Sequence, residues 1–135
     1  MTKSSSHLRI IEETPAYWRA VFDNPPLSIM GARMFEGLQD LLARMDASPS
    51  VRVVVFESSN PDFYLAHFDL DDIAGSLGLM KTAGPSGLPI LMDTFVRLTK
   101  SPVVSIAKVR GRVRGVGSEF VLTENTRRHS HERAR

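Results

Sequence analysis

The sequence predicts an α/β fold with parallel strand pairing, on three observations. Strand and helix patterns alternate twice along the chain, the arrangement that crossover helices between parallel strands require. Two strand candidates, Val51-Arg-Val-Val-Val-Phe-Glu57 and Pro102-Val-Val-Ser-Ile-Ala-Lys108, are rich in β-branched residues, and the second reads as buried. The 135 residues, 42% of them hydrophobic, bury one modest core and point to a single domain with no separate substrate domain.

Residues 1–7 form a polar, flexible start. Leu8-Arg-Ile-Ile-Glu-Glu13 and Tyr17-Trp-Arg-Ala-Val-Phe-Asp23 read as two strands of a hairpin joined by a turn at Thr14-Pro15. After Pro25-Pro26, the residues Met30, Met34, Leu38, Leu41, Leu42 and Met45 recur at helical spacing and predict an amphipathic helix over Gly31 to Ala47, its methionines packing the core. Ser48-Pro-Ser50 ends that helix, and the strand Val51 to Glu57 runs into the polar loop Ser58 to Asp62. The next passage is less regular. Asp69 to Ser76 opens a short helix with Asp69 as its cap, and Ala83-Gly-Pro-Ser-Gly-Leu-Pro89 reads as a mobile linker. Leu91, Phe95 and Leu98 share a face of the helix Ile90 to Thr99, Ser101-Pro102 breaks it, and the strand to Lys108 follows.

Composition narrows the function classes. A formal charge of +2 and a pI near 9.3 are mildly basic, but both signs are mixed along the chain, so charge alone names no nucleic-acid or membrane partner. Lys108, Arg110, Arg112 and Arg114 alternate as side chains along one strand edge do, and Arg127, Arg128, Arg133 and Arg135 follow. They suit phosphates, yet no aromatic stacking platform accompanies them, so no nucleic-acid partner is expected, and a solvated edge that resists aggregation is the ordinary reading. Cysteine is absent, which removes disulfides, thiolate metal sites and cysteine nucleophiles and makes a reducing cytoplasm the simplest home. No apolar run is long enough to span a bilayer, and the N-terminus lacks a secretory apolar core.

The chemistry concentrates in Gly111-Arg-Val-Arg-Gly-Val-Gly-Ser-Glu-Phe-Val-Leu122, a glycine-punctuated turn that follows a strand and places Glu119 in the first turn of a helix. Gly115 and Gly117 permit a tight turn or close backbone approach to a ligand. Amides exposed there, at the positive end of a helix dipole, would stabilise an oxyanion or enolate, with Glu119 as the neighbouring acid or base. Phosphate-binding, dinucleotide-binding, zincin and nucleophile-elbow motifs are absent from the sequence.

Four segments in register resemble the first half of the crotonase superfamily, the enoyl-CoA hydratase/isomerase group. They are the Asp23-Asn-Pro-Pro26 turn, the strand Val51 to Glu57, the loop Phe63-Tyr-Leu-Ala-His-Phe-Asp-Leu70 and the glycine-rich turn before Glu119. The resemblance implies a crotonase-like ββα spiral over residues 8–122, incomplete because it spans the N-terminal half. It further implies an acyl-CoA thioester as substrate, with coenzyme A part of the substrate and no separate cofactor or metal. The thioester oxygen would accept from the backbone amides of Phe68 and Val116, and Glu119 would move protons. Pro26, Leu27, Ala66, His67, Asp69, Leu70 and Gly115 would line the substrate. A trimer-based homo-oligomer is the family's assembly.

The match also departs from the family. His67 and Phe68 stand where the family has glycine and alanine, so a bulky ring would narrow the acyl pocket. Val116 stands at a family glycine, and a β-branched residue would be strained there if that position needs a positive φ. Residues 123–135 are polar, lack apolar periodicity and read as a disordered tail rather than the family's next strand and second catalytic acid. A catalytically inactive fragment that acts by association with other subunits is the competing expectation. His67 is either a proton carrier or an ordinary loop histidine. Asp69, Asp71 and Asp72 are better explained as helix caps than as a cation site, and His129 and His131 lack a partner set for metal.

Overall fold

The computed structural model describes residues 7–123 and 126–129. Strands β1 (Leu8–Glu12) and β2 (Tyr17–Phe22) form the expected hairpin, closed by paired backbone hydrogen bonds between Thr14 and Tyr17. From β2 the sheet continues with parallel partners: β3 (Val53–Ser58), β5 (Val104–Val109) and β7 (Thr126–His129), in the order β1-β2-β3-β5-β7. A second, two-stranded sheet pairs β4 (Phe63–Leu65) with β6 (Arg112–Val113), also in parallel.

Helix α1 (Ala32–Ala47) forms where the apolar periodicity places it, and Met34, Leu38, Leu41, Leu42 and Met45 are all buried on its inner face. Helices α2 (Ile73–Lys81) and α3 (Ile90–Lys100) follow, and α4 (Val116–Thr123) grows out of the glycine turn. An aromatic cluster ties the last helix to the sheet. The Phe120 ring meets Phe56 at 5.3 Å and Phe22 at 5.5 Å, both edge-on, the geometry that ring quadrupoles favour. Phe120 therefore fixes how α4, and with it the turn before it, sits on the core. Among the described residues no helix is long and apolar enough to cross a membrane.

Four local expectations are corrected. The helix after Asp69 begins at Ile73 and is capped by Asp72, whose carboxylate accepts from the Gly75 amide at 3.0 Å. Asp69 does not cap it: four residues before the helix start, its Oδ1 accepts from the Asp71 amide at 3.1 Å, while its backbone pairs with Met30 in extended conformation. The Ala83–Pro89 segment is a built turn rather than a free linker: Gly84 N–H donates to Leu88 C=O, Gly87 N–H to Gly84 C=O, and Ser86 N–H to the buried Asp93 carboxylate. The basic residues do not share one strand edge. β5 ends at Val109, Gly111 turns the chain against Asp62 and Phe63, and Arg112 lies in the other sheet with its guanidinium over the Phe63 ring. Finally, part of the segment expected to be disordered forms β7, which pairs with β5 from Ile106↔Thr126 to Val109↔His129. The remaining tail residues, 124–125 and 130–135, His131 among them, and residues 1–6 of the expected flexible start lie outside the described residues.

Candidate functional site

Parallel pairing sets the site. Because β4 and β6 run the same way, the segments leaving their ends, Ala66–Leu70 and Arg114–Gly117, start side by side. Arg114 N–H donates to the Leu65 carbonyl at 3.0 Å across that junction. The glycines then allow closer contact than any side chain would. A Cβ on Gly117 would sit 2.8 Å from both the Leu65 Cβ and the Leu65 carbonyl oxygen, and one on Gly115 would meet His67 Cβ at 3.0 Å. Gly115 also carries the positive φ of the turn, 55°. Val116 does not share it, so the strain expected of a β-branched residue at this position does not arise.

The loop Ala66–Asp69 is pinned on its other side by the Asn24–Met30 segment. Ala66 N–H donates to Ser28 C=O at 2.9 Å, Met30 N–H to His67 C=O at 3.2 Å, and Asp69 N–H to Met30 C=O at 3.1 Å. The neighbours of Phe68 are thus committed. The amides of Phe68 and Val116 themselves have no hydrogen bond among the described residues. The Phe68 carbonyl accepts from His67 Nδ1 at 2.7 Å, which leaves His67 Nε2 as the nitrogen facing outward chemistry. The Phe68 ring stacks on Phe35 with centroids 6.1 Å apart, so its bulk is directed largely at α1.

The residues singled out in the sequence are brought together to different degrees. Gly115 meets His67, and Gly117 meets Ala66, at the two-loop junction, with Phe68 and Val116 adjacent to these residues in the two segments. Pro26 and Leu27 lie just before Ser28 on the pinning segment, with the Pro26 carbonyl accepting from Asn60 Nδ2. Glu119 is exposed in the first turn of α4, with no hydrogen bond or ion pair among the described residues. Asp69 and Leu70 line a cavity of about 380 Å³ with Phe68, Ile73, Ser76, Leu77 and Met80. Ile73, Leu77 and Met80 were not singled out beforehand, although their i, i+4, i+7 spacing carried the signal. Leu70 is 77% and Ile73 69% exposed, an apolar wall open to solvent.

The carboxylates of the Asp69–Asp72 cluster serve local turns: Asp69 Oδ1 accepts from Asp71 N–H, and Asp72 Oδ1 from Gly75 N–H. Among the described residues no three acidic or histidine side chains are arranged to hold a metal ion. The arrangement as a whole offers one unpaired amide in the loop after β4, a second at the start of α4, an exposed carboxylate on that helix and an apolar recess beginning at Phe68.

The family model for enoyl-CoA hydratase/isomerase matches residues 19–127. A Streptomyces avermitilis protein assigned as an enoyl-CoA hydratase superposes with a TM-score of 0.84 at 30% identity, over 96% of this chain and 48% of its own. Enoyl-CoA hydratase from Bacillus anthracis gives 0.75 at 19% identity over 92% of this chain and 47% of its own, and DspI from Pseudomonas aeruginosa 0.77 at 21% over 95% and 53%. The last two identities speak to fold alone. This chain spans about half the length of these solved structures. Among curated proteins, no sequence matches it.

Proposed function

Given that the chain belongs to the enoyl-CoA hydratase/isomerase family and has the mixed α/β architecture of the N-terminal half of crotonase-fold proteins, we propose that it binds an acyl-CoA thioester and stabilises the enolate of its acyl group. The thioester oxygen accepts from the Phe68 and Val116 amides. As negative charge develops on that oxygen, the two preorganised donors and the α4 dipole stabilise it without reorganisation, and one such donor is worth about 3–4 kcal/mol of barrier. Glu119 takes or returns the proton beside the carbonyl. The acyl chain runs along the apolar recess from Phe68 toward Met80.

The observation that carries this reading is the pair of unbonded amides of Phe68 and Val116, the first flanked by the engaged amides of Ala66 and Asp69 and the engaged carbonyls of His67 and Phe68. Both residues are half-buried, and Val116 opens α4, so each amide is free to donate to a ligand or to water. The exposed apolar wall of α2 favours a second reading, a non-catalytic unit that buries Leu70, Ile73 and Leu77 against another subunit.

Calorimetric titration of the folded chain with a nonhydrolysable acyl-CoA thioether separates the two. Saturable binding, retained in Glu119→Gln while enoyl-CoA turnover falls by about 10²–10⁴, is the expected outcome. Absence of binding by folded wild-type protein would replace the enzyme reading with the subunit reading.

A further inference from the structure

We propose that Ser28 is a positioning residue for the Phe68 amide, acting through the loop it clamps; the proposal rests on the acyl-binding reading above. Ser28 is 1% exposed and holds φ at 59°, the one positive-φ residue other than glycine among the described residues. Glycine or asparagine takes this left-handed conformation far more readily than serine. A serine buried there must be held by its contacts, and backbone outliers of this kind gather at functional sites.

The contacts are specific. Ser28 N–H donates to Asn24 C=O at 2.8 Å and Ser28 Oγ–H to the Tyr64 carbonyl at 2.9 Å, while Ser28 C=O accepts from Ala66 N–H at 2.9 Å. Asn24 Nδ2 closes the same turn on Ile29 C=O at 2.8 Å. Tyr64 is itself anchored in the core, its hydroxyl donating to Phe56 C=O at 2.8 Å. The seam continues through Met30 to His67 and Asp69. It therefore engages residues 64, 66, 67 and 69 and passes over 68.

The left-handed turn at Ser28 directs its hydroxyl to the strand before the loop and its carbonyl to the loop itself. One residue thus couples the rigid end of β4 to the segment that presents Phe68. Glycine would supply the φ without the hydroxyl, alanine neither, and asparagine the φ together with an N–H donor. These three substitutions separate backbone conformation from the hydrogen bond.

Amide hydrogen exchange by NMR, read beside titration with the acyl-CoA thioether, tests the assignment in the full chain. In Ser28→Gly, we expect Ala66 and Asp69 to exchange faster while core amides such as those of Leu38 and Val54 keep their protection. Analogue affinity should fall about tenfold, the size of one net hydrogen bond, and Ser28→Asn should recover part of it. Ser28→Ala should be worse than glycine on both readouts. If wild type binds the analogue but Ser28→Gly binds equally well, or loosens the core and the loop alike, the positioning role is overturned. If wild type does not bind, the acyl-binding reading fails and the role falls with it, whatever the exchange pattern shows.

Discussion

At the scale of single residues, the glycine turn separates what a motif says from what the backbone does. Gly115 and Gly117 were legible as positions of turning and close approach, and both are: one carries the positive φ and the other leaves no space for a Cβ against Leu65. That Val116 escapes strain was not legible, because φ at one position depends on how the turn is divided among its neighbours. Two substitutions follow with opposite logic. Val116→Gly relieves nothing and adds unfolded-state freedom, so we expect it to cost about 0.5–1 kcal/mol in urea unfolding; a gain in stability would mean that Val116 is strained after all. Gly117→Ala places a methyl against backbone that cannot yield cheaply, and we expect a loss of about 1–3 kcal/mol together with lost thioether binding. Wild-type stability in that variant would show that the two loops can part without harm.

At the scale of elements, α1 was readable from periodicity alone, since Met34, Leu38, Leu41, Leu42 and Met45 at helical spacing admit one buried face. The start of α2 was not. Asp69 and Asp72 are equally good caps by type, but the Met30 pairing keeps the chain extended through Asp69, so the helix starts later and the carboxylate that reaches its first-turn amide is Asp72's. The Ala83–Pro89 turn is a similar case. Its glycines and prolines read as mobile, but Asp93, wholly buried at the start of α3, reaches back to the Ser86 amide and also accepts from Gln39 Nε2 at 2.7 Å and Arg97 at 3.3 Å. Burial alone would raise the Asp93 pKa, yet hydrogen bonds from Ser86, Gln39 and Arg97 outweigh it and hold the carboxyl below its usual range. A depressed native pKa contributes stability that is complete above the unfolded carboxylate value, about 4, and is lost as pH falls through the native value. We therefore expect urea midpoints that decline with acid below about pH 4, and a shallower decline in Asp93→Asn, which is also less stable at pH 7. An identical acid profile in the two proteins would remove Asp93 from the linkage.

At the scale of the whole molecule, the sheet is built outward from the hairpin by parallel additions, and its last strand comes from a segment without apolar periodicity. β7 is Thr126-Arg-Arg-His129, and it lies beside β5 as the far edge of the sheet. Backbone pairing does not require apolar side chains, since the ladder bonds are made by groups every residue carries. A chain ending at Thr123 would leave the β5 edge unpaired. We expect it to lose at least about 1 kcal/mol, a Tm drop of about 4 °C by calorimetry; an unchanged Tm would show that this pairing contributes nothing to the fold.

The sequence by itself determined the α/β class, the hairpin, the apolar face of α1, the glycine turn with Glu119 at its helix start and the family resemblance that the family match now supports. Each of these is a local pattern, readable because spacing along the chain equals spacing on a helix or strand. Only the tertiary structure decided that Ser28 clamps the loop before Leu70, that Asp93 closes a turn seven residues before it, that Asp72 rather than Asp69 caps α2 and that residues 126–129 complete a sheet. Those outcomes turn on backbone hydrogen bonds and buried contacts made by the particular partners the fold brings near, and partner identity has no local signature.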